Sequence, residues 1–124
     1  MSTSPSAPEE LLPLSPAVYH ILVALAEGEL HGYAIMQDVA ETTGGQIKMG
    51  PGTLYGTLKR MLEAGLIEES GERRDPGLGD ERRRYYRMTD FGGRVASAET
   101  RRLSRILGTA KRRGLAGNLV PRPA

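Results

Sequence analysis

Apolar and polar positions along the chain repeat first with the spacing of helices, then with that of strands, then with that of a helix again. In the first block Val18, Ile21, Leu22 and Leu25 fall at i, i+3, i+4 and i+7 behind Ser15 and Pro16. Ser15 is a good N-cap, proline suits the first helical position and Gly28 closes the block, so a helix is predicted there. His31-Gly32-Tyr33 opens a second, with Ile35, Met36, Val39 and Ala40 on one side and the Gly44-Gly45 pair as its end. A third runs from Gly50-Pro51 to Gly65 with Leu54, Leu58, Met61 and Leu62 as its stripe. At about 100° per residue, Thr53, Gly56, Lys59, Arg60 and Glu63 point away from that stripe, and Tyr55 falls on its boundary.

Leu66 to Ser70 and Arg83 to Met88 then read as two strands joined by a Gly-, Pro- and Asp-rich stretch from Gly71 to Asp80. Simple alternation puts Tyr85 and Tyr86 on opposite faces, and Tyr86 is expected inside with Met88 and Tyr85 outward. Arg73, Arg74, Arg82, Arg83 and Arg84 flank the tip of this hairpin. Thr89 can cap a last helix running to about Arg113, with Gly114 as its stop. Its apolar stripe offers more than the small preceding core can cover, so Phe91, Val95, Leu103, Ile106, Leu107 and Ala110 are expected to meet a second copy of the chain, with packing wholly within one chain the alternative because Glu99 and Arg102 lie near the stripe. The fold class that follows is mainly α with a small β-hairpin: a winged helix-turn-helix plus a C-terminal dimerisation helix. Its expected segments are a disordered tail over 1–12, the winged domain over 13–88, the dimerisation helix over 89–114 and a flexible tail over 115–124.

Charge sharpens this picture. Residues 1–47 hold six acidic side chains (Glu9, Glu10, Glu27, Glu29, Asp38 and Glu41) and no Lys or Arg. Residues 48–124 hold all 17 basic groups and carry a formal +8. An asymmetry of this size suggests that one part of the fold faces a polyanion, with double-stranded DNA the commonest candidate. Thr53, Tyr55, Lys59 and Arg60 are the expected groove contacts, and Arg73, Arg74, Arg82 and Arg83 the expected contacts from the hairpin. For Tyr55, a place at the edge of the core is an equal alternative.

Other chemistry finds little support. Zero cysteines and two histidines leave no metal-ligand pattern, and no nucleophile-base pairing or phosphate-gripping loop appears, so neither a metal nor a cofactor nor an enzyme activity is expected. The N-terminus lacks the basic and apolar regions of a secretory signal and no apolar run is long enough for a membrane span, which points to the cytoplasm. A winged-helix protein-interaction module and a cofactor-binding sensor are the alternatives to DNA binding, and salt-dependent retention on DNA discriminates the first of them.

As a set, the stretches LSPAVYHILVALAEGELHGYAIMQDV, GPGTLYGTLKRMLEAGLIEE and ERRRYYRMTDFG resemble PadR-type regulators in order and spacing, over about residues 14–93. The resemblance implies a winged helix-turn-helix that represses transcription as a homodimer and is released from promoter DNA by a small molecule or another signal. A single helix after the hairpin looks like the family's shorter branch, and Gly56 stands where relatives often have proline. An effector is expected to be a small, planar or apolar molecule, such as an aromatic one, held near the dimer seam.

Overall fold

The computed structural model describes residues 7–74 and 82–116, with the side chains of Arg74 and Arg82 outside that set. Along them run α1 (Pro16–Ala24), β1 (Leu30–His31), α2 (Gly32–Thr42), α3 (Pro51–Glu63), β2 (Ile67–Arg74), β3 (Arg82–Met88) and α4 (Asp90–Arg112), with 3₁₀ turns at Pro8–Leu11 and Leu25–Glu27. The helices start where the capping residues ask. The Ser15 hydroxyl accepts from the Val18 N–H at 3.3 Å, and Pro16 and Pro51 occupy first-turn positions of α1 and α3. α3 stops where Gly65 takes φ +76°, letting the Leu66 N–H return to the Met61 carbonyl at 3.0 Å.

Ile21, Leu22, Leu25, Ile35, Val39, Leu54, Leu58, Met61, Ile67, Tyr86 and Val95 form one buried cluster, to which α1–α4 and the sheet all contribute. Burying each large apolar side chain is worth about 1.5–3 kcal/mol, so this cluster supplies most of what holds α3 in place. Tyr86 is buried on the inner face of the sheet while Tyr85 lies on the outer one beside His31. The strand order is β1-β3-β2, antiparallel throughout.

Several expectations are corrected. The short link before the second helix contains β1, whose Leu30 and His31 pair with Tyr86 and Tyr85. β2 does not end at Ser70: after an irregularity there it continues to Arg74, opposite Arg82. Ladder hydrogen bonds carry those residues on, so the stretch from 71 to 74 is strand and not turn. Within the described part of the segment 1–12, Pro8–Leu11 is a turn, and the chain meets the core at Leu11, Leu12 and Leu14, where contact by Leu11 or Leu14 is expected to end the tail. The buried Glu99 carboxylate of α4 fastens this arm, accepting from the Leu14 N–H at 2.9 Å and from Arg102 at 2.5 and 3.1 Å. Hydrogen bonding from Arg102 holds the Glu99 carboxyl below its ordinary range. Nor is residue 89 a boundary between units, because Gly92, Val95, Ala98 and Glu99 of α4 are buried in the same chain. Residues 1–6, 75–81 and 117–124, which include half of the first expected tail, most of the second and the tip of the hairpin, lie outside the described residues.

Two close approaches fix how the parts sit together. Thr89 caps α4 by accepting from the Gly92 N–H at 2.9 Å while its hydroxyl donates to the Gly65 carbonyl at 2.6 Å. This pulls the helix so near β2 that a Cβ on Gly92 would run into the Leu66 carbonyl. At the start of α2, His31 Nδ1 accepts from the Ala34 N–H at 3.1 Å, and the Tyr55 phenol of α3 occupies the space where Gly32 has no side chain.

The two glycines predict different outcomes. Gly92→Ala meets backbone that cannot yield locally and should destabilise the chain by about 1–3 kcal/mol in urea unfolding. Gly32→Ala meets only the far end of a tyrosine: a Cβ there would fall 2.5 Å from its hydroxyl oxygen. It should cost less stability than Gly92→Ala while shifting the Tyr55 ring resonances in NMR spectra. Equal losses, with Tyr55 unmoved, would contradict this assignment.

Candidate nucleic-acid interface

α3 buries Leu54, Thr57, Leu58 and Met61 and leaves Thr53, Lys59 and Arg60 exposed. Thr57 is a functional candidate that periodicity did not single out. It is 1% exposed, its hydroxyl donates to the Thr53 carbonyl at 2.8 Å, and the remaining lone pair accepts from Arg60 Nη2 at 3.2 Å. The Arg60 guanidinium therefore lies back toward the N-terminal half of α3, passing Gly56, whose missing side chain leaves room for it. Long side chains on a helix lean this way in general. Tyr55 is 48% exposed, with its hydroxyl end against Gly32 and the rest of the ring outward. Tyr55 therefore sits at the boundary of the core, with its hydroxyl as the packed end.

The start of α2 links α3 to the hairpin. Beside Gly32, the half-exposed Tyr33 ring lies under the Arg83 guanidinium at 5.3 Å, and Arg83 Nη1 is 3.5 Å from His31 Nδ1. His31 meets Tyr85 edge-on, with ring centroids 5.4 Å apart. Through Gly32 and His31, contacts thus run from Tyr55 on α3 to Tyr33, Arg83 and Tyr85 on the wing side, while Thr53, Lys59 and Arg60 are exposed on α3.

Arg73 occupies a different setting from the one its place near the hairpin tip suggested. Its guanidinium is paired with Glu29, just before β1, and lies 4.5 Å from the centroid of the Tyr85 ring. Hydrogen bonding from Arg73 brings the Glu29 carboxyl down to about 2. Arg84 faces Glu69 and Glu72, and Arg87 pairs with Glu68 at 3.1 Å. Much of the hairpin's positive charge is thus matched by acids at its base. Arg74 and Arg82 face each other in the ladder, and their side chains lie outside the described residues.

The dimer set divides in two. Val95 is fully buried within its own chain and has no surface to offer a partner, and Phe91 packs against the same core. Val95 is corrected, because the first turns of α4 sit on the sheet and α1, whereas Phe91 is only half-buried. Further along, Leu103 and Ala110 are partly exposed, Ile106 is 56% exposed and Leu107 is 46% exposed. Among the described residues no cluster of His, Asp or Glu could hold a metal ion, and no helix is long and apolar enough to cross a membrane.

Comparison with known proteins places this geometry. Residues 21–98 match the family model described as the transcriptional regulator PadR-like family. A PadR family transcription regulator from Clostridium difficile R20291 shares the fold, with TM-score 0.68 and 24% identity over 79% of this chain and 97% of that one. A PadR-like transcriptional regulator from Bacillus cereus does so with TM-score 0.64 and 21% identity, covering 77% of this chain and 87% of that one. An uncharacterized 37.1 kDa protein in transposon TN4556 of Streptomyces fradiae is 34% identical over 91 residues, 71% of this chain. The chain spans 23% of the length of that relative. With a family model covering the buried core, both helices of the helix-turn-helix and the hairpin, the chain belongs to the PadR-like family of transcriptional regulators, which are not enzymes.

Proposed function

We propose that this chain is a sequence-specific repressor that binds promoter DNA in the cytoplasm as a homodimer. The observation that carries the reading is the exposed face of α3: Thr53, Lys59 and Arg60 project from a helix whose other side is fully committed to the core. A helix held this firmly keeps a fixed register against base edges, the condition for direct readout in a major groove. In this reading Thr53, Tyr55, Lys59 and Arg60 enter the groove, and Arg74, Arg82 and Arg83 meet phosphates.

Dimerisation is supported by the second half of α4. Ile106 and Leu107 are exposed and Leu103 and Ala110 partly so, which leaves an apolar strip along the second half of the helix. An open groove of about 390 Å³ between α1 and α4, lined by Leu22, Val23, Ala26 and Ala96, is of the right character to receive such a strip. Two copies joined there would present two α3 helices to one duplex. The same apolar wall is where a small aromatic effector would be held, and its binding would bias the spacing of those helices.

Titration of operator and scrambled duplexes at three salt concentrations tests the DNA reading, with the operator sought upstream of the protein's own reading frame. Arg60→Ala should lower operator affinity by about 1–3 kcal/mol and affect scrambled DNA less. Arg82→Ala or Arg83→Ala should weaken both alike and flatten the slope of log K against log salt by about one for each phosphate no longer neutralised. No salt-dependent retention of the unaltered protein on any duplex would favour the interaction-module alternative.

Ile106→Glu tests the seam without touching the core, since Ile106 is already exposed in the single chain. The protein should keep its fold by circular dichroism while its dimer dissociation constant rises about 100-fold or more in sedimentation experiments. An unaltered protein that sediments as a monomer at micromolar concentration would refute this arrangement.

A further inference from the structure

Successive residues of a strand point to opposite faces, so odd-numbered residues of β2 should share one side of the sheet. The ladder does not keep that order. Ile67 pairs with Met88 and Glu69 with Tyr86, on the core face, but Gly71 pairs with Tyr85 and Arg73 with Arg83, on the outer face. The step occurs at Ser70, where β2 has one residue more than its partner, and Gly71 accommodates it at φ +122°. Such a bulge re-aims every side chain beyond it. Without it, Arg73 would be on the side of Tyr86 and Arg84; with it, Arg73 joins Tyr85 and comes within reach of Glu29.

We propose that Glu29 and Arg73 are a positioning pair, brought together by the Ser70 bulge, that sets the angle of the wing against the body, and that Arg73 is therefore not one of the wing's phosphate contacts. Three features converge on this. Among the described residues, the Arg73 guanidinium pairs in charge with Glu29 and stacks on Tyr85. Tyr85 is in turn fixed by His31, which caps α2, so the chain of contacts ends on the rigid body. Glu29 is the acidic residue nearest in sequence to β1, where the wing is attached. An arginine matched by a carboxylate brings no net charge to a phosphate and releases no counterion unless the pair first breaks.

Hydrogen exchange and DNA titration of the full chain test this in two independent arms, and only the second rests on the DNA reading. Glu29→Gln, Arg73→Gln and the double variant should each speed amide exchange in residues 71–74 and 82–85 by about 3- to 30-fold. The double variant should lose no more than either single, because the two side chains act as a unit. On DNA, the double variant removes one positive and one negative charge. It should weaken operator and scrambled duplex alike while leaving the salt slope within about half a unit of the unaltered protein's. Unchanged exchange in the single variants would overturn the proposal. So would a slope flattened by about one unit or more per subunit, the result expected if Arg73 gripped a phosphate. Failure of the unaltered protein to bind DNA would count against the repressor reading, and the exchange arm would then decide the strut by itself.

Discussion

The pairing of Leu30 and His31 with Tyr86 and Tyr85 governs the position of most of what faces outward. β1 is only two residues long, yet it places the first turn of α2 directly against β3. From that junction Gly32 receives the Tyr55 phenol of α3, His31 caps α2 and abuts Tyr85, and Tyr33 underlies Arg83. A short ladder contributes little stability through its few bonds, since each is worth about 0.5–1.5 kcal/mol net. Its effect is geometric: it holds three tyrosines and two arginines at fixed distances from a buried core.

What the sequence made legible is what repeats. The helices, their caps and the inner place of Tyr86 follow from periodicity and capping chemistry, and a hairpin follows from alternation interrupted by Gly, Pro and Asp. β1 escaped because two residues cannot show a period. The bulge escaped because Glu68-Glu69-Ser70-Gly71 reads equally as the end of a strand. Periodicity also identifies which face of a helix is apolar without saying what covers it. Val95 and Ile106 therefore look alike in the sequence, although one is fully buried in its own chain and the other is left bare. Thr57 is not singled out by periodicity, and only its burial reveals the tie to Arg60.

The division of charge along the chain proves more entangled in three dimensions than in one. The acidic first third and the basic remainder suggest a body turned away from a polyanion and a wing turned toward it. Folding brings one of those acids, Glu29, onto the wing, while Glu68, Glu69 and Glu72 on β2 face Arg84 and Arg87 on β3. Among the described residues, Arg73, Arg84 and Arg87 of the hairpin are matched by acids, so the cationic surface left for a partner is narrower than the arginine content implies. Composition misses this because it cannot subtract internal pairs that are distant in sequence.

The seat of Tyr55 on Gly32 binds two positions into one evolutionary unit. Any side chain at residue 32 takes the volume that the phenol fills, and any smaller residue at 55 leaves a notch open beside the start of α2. Among relatives that keep this architecture, drift at either position should therefore be correlated with drift at the other, with glycine and an aromatic ring retained together or exchanged together. The two motifs that carry them, His31-Gly32-Tyr33 and Pro51-Gly52-Thr53-Leu54-Tyr55, are separate in the chain but constitute the two halves of a single lock.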